Sequence, residues 1–223
     1  MAVTAEEVSI AADGLAAWLI TQYDTERNAF GAAKEGAGIA CLSMVVRALC
    51  DSQRRYRKAS GRFIAEPLKR IVSQVAPDGL VNGTKSLEDY VDVALALRSA
   101  GDPDLARVAR TVDERLTCLL NAIGFADEDE ETVSLSYWEI EHACGELELN
   151  PTQLARLRDC LEAVKRDKRK RVWIRRGRPP WALLLAEALL KRRLGDGTFG
   201  GDVQANALAL QILNVCYNEM RNQ

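Results

Sequence analysis

The sequence predicts an all-α fold, and three observations point to it. Apolar residues recur at steps of three and four along much of the 223-residue chain, which is the spacing of one face of an α-helix. No segment sustains the alternation of apolar and polar residues that marks a half-buried strand. Short turns between helical segments repeatedly place a large apolar residue beside a glycine. We therefore expect an array of antiparallel helix pairs that needs no strands.

One kind of predicted helix carries a single apolar stripe, which is typical of a helix that covers a core on one side. Two of these helices have clear start signals, because Asp102 and Asn150 are good N-caps and each is followed by proline at the first helical position. We interpret them as outer helices. Their stripes are Val8, Ala11, Leu15, Trp18 and Leu19; Leu68, Ile71, Val72 and Val75; Leu105, Val108, Val112, Leu116 and Leu119; and Leu154, Leu157, Leu161 and Val164.

A second kind of helix is richer in alanine and apolar on more than one side, which favours burial between neighbours. We predict such inner helices over residues 37–50, 87–100, 132–147 and 202–217. Each follows one of the glycine-containing turns. The large apolar residues of those turns are Phe30, Leu80, Phe125 and Phe199, which are 50, 45 and 74 residues apart. This spacing predicts repeated helix hairpins, with these four side chains at equivalent positions.

At these turns the sequence resembles the repeat of terpenoid cyclases and protein prenyltransferases. Residues 74–80 read Gln-Val-Ala-Pro-Asp-Gly-Leu and resemble the QxxxDGxW core of that repeat, with Leu80 in place of tryptophan. Residues 195–210 resemble the repeat most strongly. The resemblance implies an α/α toroid, in which inner helices surround a central apolar cavity. About four hairpins fit the chain, so we expect one toroid-like domain over residues 1–223 with an incomplete ring and a basic insertion at about 165–180.

Composition excludes several classes of protein. Thirty basic and 32 acidic residues give a net charge of −2, so the whole molecule is not a general polyanion binder. No apolar run is long enough to span a bilayer, and the acidic start does not resemble an export signal, which together favour the cytoplasm. Six scattered cysteines are typical of reduced core thiols. His142 is the only histidine, too few for a histidine-rich zinc site.

The resemblance also directs attention to an acidic cluster before the third inner helix. Glu128, Glu130 and Glu131 match the DxDDTA motif of protonating cyclases only if each aspartate is replaced by glutamate. Mutual repulsion raises the pKa of clustered carboxylates, as a proton donor requires. Tyr137 and Trp138 follow on the same predicted helix and would line the cavity. The simpler interpretation, which we favour, is a solvated loop that interacts with the positive end of the helix dipole.

A second acidic cluster lies at the start of the second inner helix. Glu88 and Asp92 are one helical turn apart and share a face with Asp89 nearby, so a hard cation could bridge them. The pattern resembles the element that holds Mg²⁺ and diphosphate in some cyclases. Short acidic patterns are common by chance, so the metal site is the less favoured interpretation.

The charges are strongly segregated along the chain. Residues 101–150 carry a net charge of −10 and residues 151–193 a net charge of +10. The densest basic stretch, residues 165–178, has nine basic residues in fourteen. We favour the interpretation of this stretch as a solvated linker. Two less favoured interpretations are a diphosphate clamp through Arg175 and Arg176, and pairing with an acidic segment of a protein partner or of a second copy. Nucleic acid is less favoured, because Trp173 is the stretch's only aromatic residue.

Two functions remain open from the sequence. The favoured hypothesis is a non-catalytic helical-repeat module that binds a protein partner or an apolar ligand, because no catalytic motif is complete. The alternative is an isoprenoid-handling enzyme that cyclises a prenyl diphosphate by acid initiation. Only the alternative calls for a cofactor, which would be Mg²⁺.

Overall fold

The computed structural model describes residues 3–31, 38–52, 61–84, 87–122 and 181–221. Most of these residues are helical, which confirms the predicted all-α character. The helices are α1 Ala5–Thr21, α2 Ile39–Asp51, α3 Gly61–Ser73, α4 Leu87–Ala100, α5 Ala106–Ala122, α6 Trp181–Lys191 and α7 Val203–Arg221, with a 3₁₀ turn at Pro103–Leu105 before α5. Within these ranges, no helix is both long enough and apolar enough to cross a bilayer.

The chain divides into two compact units, and one of the two boundaries between them falls within α1. One unit comprises Trp18–Glu128, and the other combines Met1–Ala17 with Asp129–Gln223. The predicted inner helix at 132–147, the predicted outer helix after Asn150 and the basic stretch lie outside the described residues.

In the unit Trp18–Glu128, α2 is the central helix. It packs most extensively against α4, and α3 packs against both of them. Ten of the thirteen residues of α2 are buried, as the apolar composition around the helix predicts. The α5 helix packs on α4 and follows a turn in which the Asp102 carboxylate accepts the Asp104 N–H. The predicted Asp102-Pro103 start signal is therefore confirmed.

In the other unit, α6 packs against α7. All but one of the residues from Val203 to Cys216 are buried, so α7 is a nearly continuous core helix. The predicted bounds of the inner helices agree with α2, α4 and α7 to within a few residues at each end.

The turn before α4 and the turn before α7 have the same hydrogen-bond pattern, shifted by 118 residues. In the first, Ala76 N–H donates to the Leu80 carbonyl at 2.7 Å and Gly79 N–H donates to the Ala76 carbonyl at 2.9 Å. In the second, Leu194 N–H donates to the Thr198 carbonyl at 2.8 Å and Gly197 N–H donates to the Leu194 carbonyl at 2.9 Å.

The aspartates of the two turns are equivalent as well. Asp78 Oδ1 accepts the Leu80 N–H at 3.1 Å, and Asp196 Oδ1 accepts the Thr198 N–H at 2.9 Å. The glycine that follows each aspartate has a positive φ, 82° at Gly79 and 86° at Gly197, a conformation that other residues rarely adopt. The two Asp-Gly turns are thus copies of one structure.

The alignment of the two turns by their hydrogen bonds corrects one predicted anchor residue. Leu80 aligns with Thr198, not with Phe199, and its side chain is 42% exposed. The residue that aligns with Phe199 is Val81, and these two side chains are each 4% exposed. The prediction of Leu80 as an anchor was therefore wrong by one residue, while Phe199 is buried as predicted.

The turn between α1 and α2 is a longer variant of the same structure. Tyr23 pairs with Phe30 in a two-stranded antiparallel sheet, β1 Tyr23–Asp24 and β2 Ala29–Phe30, just as Val75 pairs with Val81 in a single bridge. Phe30 is 5% exposed, so it is buried as Val81 is. The expectation that no strands form was wrong here, because the two chain segments of such a turn run antiparallel and within hydrogen-bonding distance. Phe125, the remaining predicted anchor, lies outside the described residues.

Candidate functional site

Most of the predicted site residues fall outside the part of the chain that the structure describes. These are Glu128, Glu130, Glu131, Tyr137, Trp138, Arg175 and Arg176, together with the side chain of Glu88. Their predicted roles stay predictions. Asp89 and Asp92, on α4, are described.

Asp92 is buried between two inner helices. Its side chain is 1% exposed, and its Oδ1 lies 4.0 Å from Nη1 of Arg47 on α2. The Arg47 side chain is 5% exposed, so both charges are removed from water. A buried charge of either sign is costly unless an opposite charge compensates it, and these two compensate each other across the α2–α4 interface.

Two further polar side chains of α2 lie one helical turn to either side of Arg47. Asp51 Oδ2 is 3.9 Å from Arg47 Nε, and the Asp51 side chain is 42% exposed. Ser43 is fully buried, and its hydroxyl has no hydrogen-bond partner among the described residues. We call Ser43, Arg47, Asp51 and Asp92 the inner-helix polar cluster. Its two carboxylates and one guanidinium make it acidic by one formal charge.

Among the described residues, no group of three or more histidine, cysteine, aspartate or glutamate side chains is arranged to hold a metal ion. Asp89 is half-buried, whereas Asp92 is directed toward Arg47. An arginine at this distance stabilises the charged carboxylate and occupies the space on that side of it. Of the two described residues of the predicted Mg²⁺ site, Asp92 is therefore held in an ion pair with Arg47.

The turn before α7 is fixed by a buried asparagine. The Asn206 amide oxygen accepts the Phe199 N–H at 2.9 Å, and its NH₂ donates to the carbonyls of Gly200 at 2.7 Å and Asp202 at 2.8 Å. Asn206 is fully buried, so these bonds satisfy groups that water cannot reach. Asn214 lies two turns further along α7, and its buried amide has no hydrogen-bond partner among the described residues.

The turn before α4 is fixed in a different way. Tyr90 is buried, and its hydroxyl donates to the Gly79 carbonyl. Burial raises the pKa of Tyr90, because the phenolate would lose its hydration there. A Cβ at Gly79 would lie 2.4 Å from the Thr111 carbonyl oxygen, so α5 packs directly on the turn.

The exposed aspartate of the turn before α7 remains charged to low pH. Hydrogen bonds from the Thr198 N–H and hydroxyl lower the pKa of Asp196. Glu7 at the start of α1 is similar, since bonds from the Thr4 N–H and hydroxyl lower its pKa. Both carboxylates are fixed by local backbone groups and serve structural roles.

Sequence reasoning did not identify Arg47. A signal was present, because Arg47 interrupts an otherwise almost wholly apolar helix, and an unpaired buried arginine is strongly disfavoured. That signal does not indicate which residue pairs with Arg47. Comparison with known proteins found no family model, no curated protein and no solved structure that matches the chain.

Proposed function

We propose that this chain is a non-catalytic helical-repeat module with a toroid-like array of hairpins, and that it binds a protein partner or an apolar ligand. The observation that carries the proposal is the α2–α4 interface. These two inner helices pack against each other, and Asp92, which the catalytic alternative needs as a Mg²⁺ ligand, is buried against Arg47.

The repeated turns support the scaffold part of the proposal. The turns that precede α2, α4 and α7 each bury one apolar residue, namely Phe30, Val81 and Phe199. Stacked helix pairs commonly present extended surfaces for binding, because each pair adds to one continuous face.

A turnover assay tests the proposal against its alternative. Purified protein is incubated with farnesyl or geranylgeranyl diphosphate, with and without Mg²⁺, and the products are separated by gas chromatography and mass spectrometry. The proposal predicts neither a cyclic product nor released diphosphate. A cyclic product that is lost in Glu130→Gln would overturn it and establish the enzyme.

Native mass spectrometry of the protein purified from its own host tests the binding part. We expect a second molecule bound in fixed stoichiometry to the 24.6 kDa chain. Detection of the bare chain alone, after mild crosslinking in the cell, would contradict the binding role.

A further inference from the structure

A groove of about 480 Å³ lies where α4 ends and α5 begins. Its floor is formed by Leu97 at the end of α4, Pro103 in the 3₁₀ turn, and Ala106 and Ala109 in the first turns of α5. The volume is within the range of about 300 to 1,000 Å³ that is usual for small-molecule sites. Every lining residue belongs to the unit Trp18–Glu128.

Small residues keep this groove open. Ala106 and Ala109 present only methyl groups on the side of α5 that meets α4. Gly101 ends α4 with a φ of 59°, and its N–H donates to the Arg98 carbonyl at 3.2 Å. A larger side chain at Ala106, which is exposed, would fill the groove without entering the core.

Two arginines and two aspartates line the groove, and one arginine and one aspartate of these form an ion pair with each other. Arg98 Nε donates to Asp113 Oδ2 at 2.8 Å, and Arg98 Nη2 lies 2.6 Å from Asp113 Oδ1, so this pair is neutral. The Asp102 carboxylate accepts the Asp104 N–H at the start of the 3₁₀ turn. Arg110 is exposed on the rim and has no ion-pair or hydrogen-bond partner among the described residues.

We propose that this groove binds a small amphipathic molecule with an apolar body and one anionic group. The apolar body covers Leu97, Pro103 and the two alanines, and the anionic group pairs with Arg110. The inference rests on the proposed binding function, which it narrows to a site and a ligand class. Carboxylate is the natural form of such an anion on either an acyl chain or an aromatic ring.

Two fluorescent probes with nearly the same aromatic body test the ligand class. The anionic probe is 1-anilinonaphthalene-8-sulfonate, and the neutral probe is N-phenyl-1-naphthylamine. We expect the parent protein to bind one molecule of the anionic probe. Arg110→Gln should weaken that binding about two- to fivefold and leave binding of the neutral probe unchanged, which is the effect of one exposed ion pair.

Matched variants locate the probe. Arg107→Gln removes an exposed arginine of α5 that does not line the groove, and it should change neither affinity. Ala106→Phe should abolish binding of both probes, while circular dichroism shows that the helices are retained. Decanoate and 2-naphthoate then compete with the anionic probe, and the stronger competitor identifies an acyl or an aromatic ligand.

Three results would overturn the inference: anionic-probe binding that is unaffected by Arg110→Gln, probe binding that survives Ala106→Phe, or a failure of both carboxylates to compete. None of them bears on turnover of prenyl diphosphates or on a bound partner in native mass spectra. Failure of this site is therefore distinguishable from failure of the proposed function.

Discussion

The ion pair between Arg47 and Asp92 should be a major source of stability for the α2–α4 interface. Asp92→Asn removes the carboxylate charge that faces the buried Arg47, while the Asp51 carboxylate stays 3.9 Å from Arg47 on a side chain that is 42% exposed. Two unit charges 4 Å apart interact by about 4 kcal/mol at the effective dielectric constant that describes partly buried pairs. Breaking a buried pair usually costs about 3 to 5 kcal/mol.

Because Asp51 compensates part of the charge on Arg47, we expect Asp92→Asn to lower the free energy of unfolding by about 2 to 3 kcal/mol, toward the lower end of that range. The measurement is urea denaturation followed by circular dichroism at 222 nm. Arg47→Met and the double variant Arg47→Met/Asp92→Asn complete a double-mutant cycle, which isolates the pairwise interaction.

The cycle should give a coupling free energy of about 2 kcal/mol, since the double variant no longer holds an uncompensated buried charge. A coupling free energy below about 0.5 kcal/mol would refute the reasoning. It would mean that the two side chains do not compensate each other and that Asp92 is available for another partner.

Three further predictions concern the turns. Gly79→Ala should lower the free energy of unfolding by more than about 2 kcal/mol, because the added Cβ would meet the Thr111 carbonyl oxygen and the φ of Gly79 is positive. The control Gly195→Ala, at a position with open space around it, should change the free energy of unfolding by less than about 0.5 kcal/mol. Equal effects of the two variants in urea denaturation would contradict this prediction. Asn206→Ala should lower the free energy of unfolding by about 2 to 4 kcal/mol in the same measurement, because it leaves buried backbone groups without hydrogen-bond partners. A loss below about 1 kcal/mol would show that the turn does not need the hydrogen bonds of the Asn206 amide. Because the pKa of Asp196 is lowered, its contribution to stability is present above the unfolded-state pKa near 4 and is lost as the pH falls through the folded-state pKa. Asp196→Asn should therefore flatten the decline of the free energy of unfolding below about pH 4. An unchanged pH profile of the free energy of unfolding would contradict that contribution.

The helices were predictable from the sequence because they depend on local spacing. The 87–100 prediction coincides with α4, and the Asp102-Pro103 start signal lies where the 3₁₀ turn and α5 begin. The Asp-Gly turns were predictable for the same reason, since an Asp-Gly pair recurs after an apolar helix. Both features are fixed by residues that are close in sequence.

The register of the turns was not predictable to the residue. Leu80 is larger than Val81 and sits directly after Asp-Gly, so size and position favoured it as the anchor. The Leu80 carbonyl accepts the Ala76 N–H, and the side chain that follows, Val81, is buried while that of Leu80 is exposed. Only the path of the backbone shows which of two adjacent apolar residues is buried.

The inner-helix polar cluster was beyond sequence reasoning for a related cause. Arg47 and Asp92 are 45 residues apart, and their contact depends on how α2 and α4 are rotated about their axes. That rotation is set by packing over the whole interface. Asp92 was identified as a functional candidate, but the partner that changes its interpretation lies on another helix.

The central claim is that the turns before α4 and α7 are copies in which Val81 corresponds to Phe199. Two grafts test it through the free energy of unfolding. The aligned graft gives positions 76, 77 and 80 the residues found at 194, 195 and 198, and keeps Val81. The shifted graft writes residues 194–199 onto positions 75–80, which places threonine at Gly79.

The account predicts that the aligned graft stays within about 1.5 kcal/mol of the parent, because it changes only solvent-accessible positions of a shared backbone path. It predicts that the shifted graft loses more than about 3 kcal/mol, because position 79 has a positive φ and no room for a Cβ. A shifted graft that is as stable as the parent, together with an aligned graft that unfolds, would contradict the equivalence of the turns.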